Sequence, residues 1–185
     1  MPIYHRAKER FEVVTLEEIT RYSTLAKDLD FRLLIECCWL TGARIQELLN
    51  LVKEDVQIDE PKGEVTFVIK ALKRGKVGYP SFSLLDPFME GVVTYIKYLQ
   101  EGGKLFKRGK RSYEYEFERI NKILYPDNKD MWLVPHYLRH SRITFITREL
   151  QASPEEVKSW TGHKSTAFEE YFRPRRVDRF RGKTR

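Results

Sequence analysis

Residues 31–51 read FRLLIECCWLTGARIQELLNL, and this stretch decides the fold. Residues 31–40 are apolar nearly all round, which predicts a buried helix. Gly42 interrupts the pattern, and the helical period resumes over residues 44–51. The side chains of this second segment that we expect to face the core are Ile45, Leu48 and Leu49. The stretch therefore predicts two successive helices joined by a glycine turn.

The two cysteines of the chain, Cys37 and Cys38, are adjacent within the apolar part of this stretch. Adjacent cysteines fit no C-x-x-C metal spacing, so we expect no structural zinc. Buried free thiols are instead typical of proteins from a reducing compartment.

Working outward, helical and strand patterns alternate unevenly along the chain. Capping boxes and apolar periodicity predict further helices at residues 15–27, 86–99, 113–124 and 136–150. A capping box of Ser153 and Glu156 opens another helix, and a short one is predicted at residues 167–171. Residues 57–58, 64–69 and 77–83 read as strands, the last two joined by a basic turn at Lys73–Lys76. The fold class is therefore mainly α with a small antiparallel β-sheet (α+β).

The composition predicts one globular domain. The chain has 185 residues, of which 41% are hydrophobic, enough for one core and too few residues for two ordinary ones. We expect the domain at residues 12–174, an N-terminal extension at 1–11 and a basic tail at 175–185. No apolar stretch approaches the roughly 20 residues of a membrane span, and the N-terminus lacks a secretion signal. The expected location is the cytoplasm, with no membrane partner.

The charge favours a polyanionic partner. The net charge is +7, and residues 172–185 hold seven basic residues against Asp178 alone. Two more basic runs contain no acid and are expected in turns or loops: Lys70, Lys73, Arg74 and Lys76, and Lys104, Lys107, Arg108, Lys110 and Arg111. Each run alone fits a solvated face equally well, whereas the three together favour nucleic acid.

Two short segments carry candidate chemistry. His136 and Arg139 are three apart, so on a helix they share a face and could bind one anion, with His140 expected to point elsewhere. Arg44 is followed three residues later by Glu47, which fits either a surface ion pair or a functional arginine held by a carboxylate. Neither pair is specific by itself.

The order of the motifs is more specific. Residues 41–48 (TGARIQEL) are followed by the basic hairpin, residues 136–141 (HYLRHS), residues 161–165 (TGHKS) and then Tyr171. This series resembles the tyrosine recombinase family, the phage-type integrases, over about residues 12–174. The spacing from His163 to Tyr171 is one residue shorter than is common in that family.

The resemblance implies a catalytic set of Arg44, Lys73, His136, Arg139, His163 and Tyr171, with Glu47 in support. In this interpretation the two arginines hold the phosphate, the histidines assist Tyr171 as the nucleophile, and Lys73 protonates the leaving 5′ oxygen, with Lys70 and Lys76 as alternatives. The residues expected to contact DNA are Lys70, Arg74, Lys76, Lys107 and Arg108.

The implied activity is site-specific DNA recombination through a 3′-phosphotyrosine intermediate. The covalent bond conserves the phosphodiester energy, so no cofactor is expected, and the sequence lacks both a P-loop and a carboxylate set for metal ions. The implied partner is double-stranded DNA, with a homotetramer on recombining sites and a monomer without DNA. The family's N-terminal DNA-clamping domain has no room before residue 12, so we expect weak, salt-sensitive DNA binding.

Two other functions are compatible with the same residues. A type IB topoisomerase-like or resolvase enzyme would use the same chemistry without exchanging partners. A DNA-binding regulator of the same fold would have lost turnover, and the complete residue set argues against that loss.

Overall fold

The computed structural model describes residues 14–72 and 76–161. Within them lie seven α-helices: α1 (Leu16–Leu25), α2 (Leu29–Thr41), α3 (Ile45–Leu49), α4 (Pro87–Tyr98), α5 (Lys110–Leu124), α6 (Pro135–Arg148) and α7 (Pro154–Thr161). The strands are β1 (Val56–Asp59), β2 (Glu64–Phe67), β3 (Ile69–Lys70), β4 (Val77–Gly78) and β5 (Ser81–Ser83). The architecture confirms the expected α+β class. The short piece expected at residues 167–171 lies outside the described residues.

Helix α2 is the centre of the core. The side chain of Asp28 caps its start by accepting the N–H of Phe31 at 2.9 Å. All residues from Leu33 to Thr41 are buried, and α2 packs against α1, α3, α4 and α6. The prediction of a buried helix is therefore confirmed, with Arg32 as an exposed exception. Cys37 and Cys38 are both free thiols inside it, and burial raises the pKa of each.

Gly42 ends α2 in the left-handed region, with φ of 61°. A Cβ at this position would lie 3.2 Å from Cβ and Cγ of Arg142 on α6. Glycine is therefore required twice, by the backbone conformation and by the close approach of α6. The turn directs the chain into α3, where Ile45, Leu48 and Leu49 face the core as expected.

The strands form two small sheets, and both long strands expected from the sequence are divided. The first sheet has the antiparallel order β1-β2-β5, and the second pairs β3 with β4. Pro80, which lies between β4 and β5 in the chain, has no N–H with which to continue the pairing to β2 and β3. The N–H of Val68 donates to the carbonyl of Asp55 at 2.7 Å, which separates β2 from β3. The described strands of the basic hairpin, β3 and β4, therefore form a two-stranded sheet separate from the main one.

Reciprocal hydrogen bonds at the helix starts follow the capping boxes in the sequence. Glu18 and Thr15 bond each other's backbone at the start of α1, and Ser153 and Glu156 do so before α7. Several helix boundaries differ from the expected ones by one to three residues. Helix α5 begins at Lys110, so Lys110 and Arg111, expected in a loop, lie in its first turn.

Within the described residues, no helix is both long and apolar enough to cross a membrane.

Candidate active site

Arg44 is held at the start of α3 by a buried carboxylate. It occupies the N-cap position, and its backbone N–H donates to Oε2 of Glu47 at 2.8 Å. Its guanidinium Nη1 donates to Oε1 of the same carboxylate at 2.8 Å. The Glu47 side chain is only 1% exposed, whereas that of Arg44 is 43% exposed. Glu47 therefore holds both the backbone N–H and the guanidinium of Arg44, while part of that guanidinium remains exposed to solvent.

Arg139 reaches the same carboxylate from α6. Its Nη1 donates to the carbonyl of Gly42 at 2.6 Å and lies 3.8 Å from Oε2 of Glu47. The Arg139 side chain is only 5% exposed, so its contacts with Gly42 and Glu47 are buried and restrict its position. Glu47 thus lies between two guanidiniums whose residues are 95 positions apart in the sequence. Two cations share one carboxylate, so the cluster keeps a net positive charge suited to an anion.

Both arginines open on one cavity of about 610 Å³. Its polar wall includes Arg44, His136, Arg139, Lys110, Glu114 and Glu118, and its apolar wall includes Ile45, Phe117, Trp132 and Val134. Lys110 adds a further cation at the first turn of α5, 3.5 Å from Glu114. The cavity can therefore accept a phosphate at its arginine end, with apolar surface beside it.

His136 lies in the first turn of α6 and lines this cavity. Although its side chain is exposed, partial desolvation at the cavity wall and the nearby guanidiniums of Arg139 and Arg44 lower its pKa. The positive end of the α6 dipole opposes protonation in the same direction. These effects favour the neutral imidazole, which suits a proton acceptor.

The expectation that His140 points elsewhere is wrong. Its Nε2 lies 2.6 Å from Nε2 of His136, with the two rings nearly perpendicular. Residues four apart on a helix share a face, so the spacing of His136 and His140 already predicts that their side chains are neighbours.

The basic residues expected to contact DNA differ in their surroundings. Lys70 on β3 is largely exposed and pairs with Asp55 at 2.9 Å, and Lys76 and Lys107 are exposed. Arg108 instead contacts Asp28 at 3.0 Å and Asp30 at 3.2 Å, and its guanidinium lies 4.6 Å from the centre of the Tyr113 ring. Arg108 therefore has a structural role that the charge pattern did not indicate.

Four of the expected site residues, Lys73, Arg74, His163 and Tyr171, lie outside the described residues. The flanking elements are described. Strand β3 contacts α3, and the N–H of Tyr79, next to β4, donates to the carbonyl of Ser159 on α7 at 3.1 Å. Strands β3 and β4 thus lie between α3 and α7.

The structure adds residues that the sequence reasoning did not single out. Trp132 and Glu114 line the cavity, and only the fold brings them there. Trp160 on α7 donates its Nε1–H to the carbonyl of Thr41 at 3.1 Å, beside the glycine turn. No sequence pattern signals a bond to a backbone carbonyl. Within residues 14–72 and 76–161, no three His, Cys, Asp or Glu side chains converge as a metal site would require.

Comparison with known proteins identifies the fold. No family model matches the sequence, and no curated protein matches it. Among solved structures, XerH site-specific recombinase bound to its difH substrate aligns with a TM-score of 0.68 at 20% identity, covering 89% of this chain and 51% of XerH. XerA recombinase aligns at 0.58 and 17% identity, covering 86% and 59% of the two chains. A lambda integrase tetramer bound to a Holliday junction aligns at 0.62 and 18% identity, covering 83% and 47%.

These structures are tyrosine recombinases, and the chain has the fold of their catalytic domain, as the sequence resemblance implied. The chain spans about half the length of the XerH and lambda integrase chains that it matches.

Proposed function

We propose that this chain is the catalytic domain of a site-specific DNA recombinase that cuts and rejoins strands through a covalent 3′-phosphotyrosine at Tyr171. The observation that carries the proposal is the convergence of Arg44 and Arg139 on Glu47, beside His136, in one cavity of a recombinase fold. An anion-binding pair of guanidiniums next to a neutral imidazole is suited to phosphoryl transfer.

In the proposed reaction, the phenol oxygen of Tyr171 attacks the phosphorus and forms a new O–P bond. The bond from phosphorus to the 5′ oxygen breaks, and that oxygen takes a proton from Lys73. The tyrosine proton passes to a histidine, either His136 or His163. Arg44 and Arg139 hold the non-bridging oxygens, on which negative charge increases in the transition state. Attack by another 5′ hydroxyl on the phosphotyrosine reverses these steps and rejoins the strand.

The proposed substrate is double-stranded DNA, bound through its phosphates. XerH and lambda integrase are DNA-bound in their structures, and lambda integrase forms a tetramer on a Holliday junction. For this chain we propose the same partner and a tetramer on recombining sites. Lys70, Lys76 and Lys107 are the exposed described lysines among the expected contacts, and each phosphate contact adds salt dependence to the affinity.

The test is covalent trapping on nicked DNA, which loses the short strand needed for rejoining. The wild-type chain should form an adduct that resists detergent, and the adduct should form in a metal chelator. Tyr171→Phe, which lacks only the attacking oxygen, should form none. Tyr115→Phe is a matched control, because Tyr115 is an exposed tyrosine on α5 and its loss should leave the yield unchanged.

An adduct that persists in Tyr171→Phe would refute the assignment of the nucleophile. A wild-type chain that binds DNA without forming an adduct would favour the regulator. Adducts that relax supercoils but never join two duplexes would favour the topoisomerase-like enzyme.

A further inference from the structure

The two histidines of α6 form a pair that the proposed chemistry does not explain. Nε2 of His140 lies 2.6 Å from Nε2 of His136, and the ring centres are 4.2 Å apart at an angle of 89°. This distance is short for a hydrogen bond, and a hydrogen bond between two imidazole nitrogens needs one N–H and one lone pair. The geometry is therefore compatible with one proton between the rings and incompatible with two.

We propose that His140 is a positioning residue for His136, the two imidazoles sharing one proton between their Nε2 atoms. The contact fixes the ring of His136 at the mouth of the cavity that holds Arg44 and Arg139. It also limits the pair to one proton on the two facing nitrogens, because a second would place two N–H groups against each other. This inference rests on the proposed function for its catalytic consequence but not for the pairing itself.

The charges around the cavity act in the same direction. The charged side chains that line the cavity besides His136 are Arg44, Lys110, Glu114, Glu118 and Arg139. Glu47 contacts both arginines from the buried side. Partial desolvation and the two guanidiniums oppose a positive charge on His136, as its lowered pKa reflects. These groups favour the neutral form of His136. The hydrogen bond with His140 therefore affects the orientation of the His136 ring more than its charge.

The pairing is measured first, without DNA, by following the imidazole nitrogens by NMR over a pH titration. The chain has four histidines, so single substitutions identify each signal. A shared proton predicts two macroscopic steps for His136 and His140 that are separated by more than about one pH unit, as interacting sites show. In His140→Phe, His136 should titrate in a single step. Independent titration of the two rings in the wild type would overturn the proposal.

The positioning role is measured next, by the rate of adduct formation. His140→Phe should lower it roughly tenfold to a hundredfold, because a small displacement of a catalytic group is enough for that loss. His140→Gln keeps both an N–H donor and a carbonyl acceptor without a titrating group, so it can form the hydrogen bond to His136 in either direction and should restore the rate to within about threefold of wild type. A fold check by circular dichroism separates this effect from unfolding.

Unchanged rates in His140→Phe would overturn the positioning role even if the spectra show the pair. Equal losses in His140→Phe and His140→Gln would also overturn it, because the bonding group would then be irrelevant. A wild type with coupled titration but no adduct would overturn the proposed function and the positioning role with it, while the shared proton would remain supported.

Discussion

Glu47 offers the most informative single perturbation, because one buried carboxylate holds both arginines. In Glu47→Gln the volume is conserved and the charge is lost. Arg44 can turn toward solvent, since its side chain is 43% exposed, but Arg139 at 5% exposure cannot. The variant therefore leaves one guanidinium buried beside a neutral amide.

The size of the effect follows from the geometry. With an effective dielectric constant of about 20, two unit charges at the 3.8 Å between Arg139 and Glu47 attract by about 4 kcal/mol. Removing one partner of a buried pair costs about 3–5 kcal/mol in measured cases. Arg139 keeps its bond to the carbonyl of Gly42, so we expect a loss near the lower end, about 3 kcal/mol. For a chain of this size that loss lowers Tm by roughly 6–12 °C.

The assays separate stability from chemistry. Urea unfolding gives the free energy of unfolding, and adduct formation on nicked DNA at a temperature where both proteins are folded gives the rate. We expect the rate to fall by at least about a hundredfold, because the arginines no longer hold their geometry. The variant removes a negative charge from the cavity, so DNA affinity at low salt should be equal or higher.

Glu36→Gln is the matched control. Glu36 is also buried, lies on neighbouring α2 and pairs with Arg32, which is 56% exposed, and neither residue lines the cavity. Burial raises the pKa of Glu36, so this carboxylate gives up its charge more readily. The control should retain adduct formation. If Glu47→Gln matched it in both unfolding and rate, the bridging role of Glu47 would be refuted.

Three further predictions concern neighbouring residues. Gly42→Ala should destabilise the fold by about 1–3 kcal/mol in urea unfolding, because the left-handed backbone and the 3.2 Å approach of Arg142 both oppose a Cβ; an unchanged unfolding midpoint would contradict this. Arg108→Ala should lower Tm while Lys107→Ala lowers mainly DNA affinity, measured by melting and fluorescence anisotropy, and the reverse pattern would refute the structural role of Arg108. The folded-state pKa of His136 is below its unfolded value near 6.5, so stability should be full above pH 6.5 and fall as the pH drops through the folded pKa. In unfolding measurements His136→Gln should flatten that decline, and a decline as steep as in the wild type would contradict it.

The sequence predicts this fold where local rules dominate. Capping residues and apolar periodicity locate α1, α2 and α7, because these patterns act within a few residues. The strand division was not predictable in the same way. Pro80 offered a signal, but the break at Val68 depends on a bond to Asp55, which is 13 residues earlier and adjacent only in the folded chain.

For the site, residue types were predictable and partners were not. Arg44, His136 and Arg139 were expected from their motifs, and the structure brings them to one cavity. Arg108 has the same charge as its neighbours in the basic run, yet two carboxylates about 80 residues away engage it. A charge run alone does not distinguish a cation that faces solvent from one that holds two helices together.

The turn at Thr41–Gly42 explains why the site forms where α2 ends. Its two carbonyls receive donors from different helices, Trp160 of α7 at Thr41 and Arg139 of α6 at Gly42. Two residues later the same chain presents Arg44, and its anchor Glu47 meets Arg139 again. The left-handed glycine ends α2 and leaves these two carbonyls free to accept hydrogen bonds. The same turn that divides α2 from α3 therefore also fixes how α3, α6 and α7 pack around the two arginines. A substitution that merely straightened this turn would therefore displace both guanidiniums at once, without touching either.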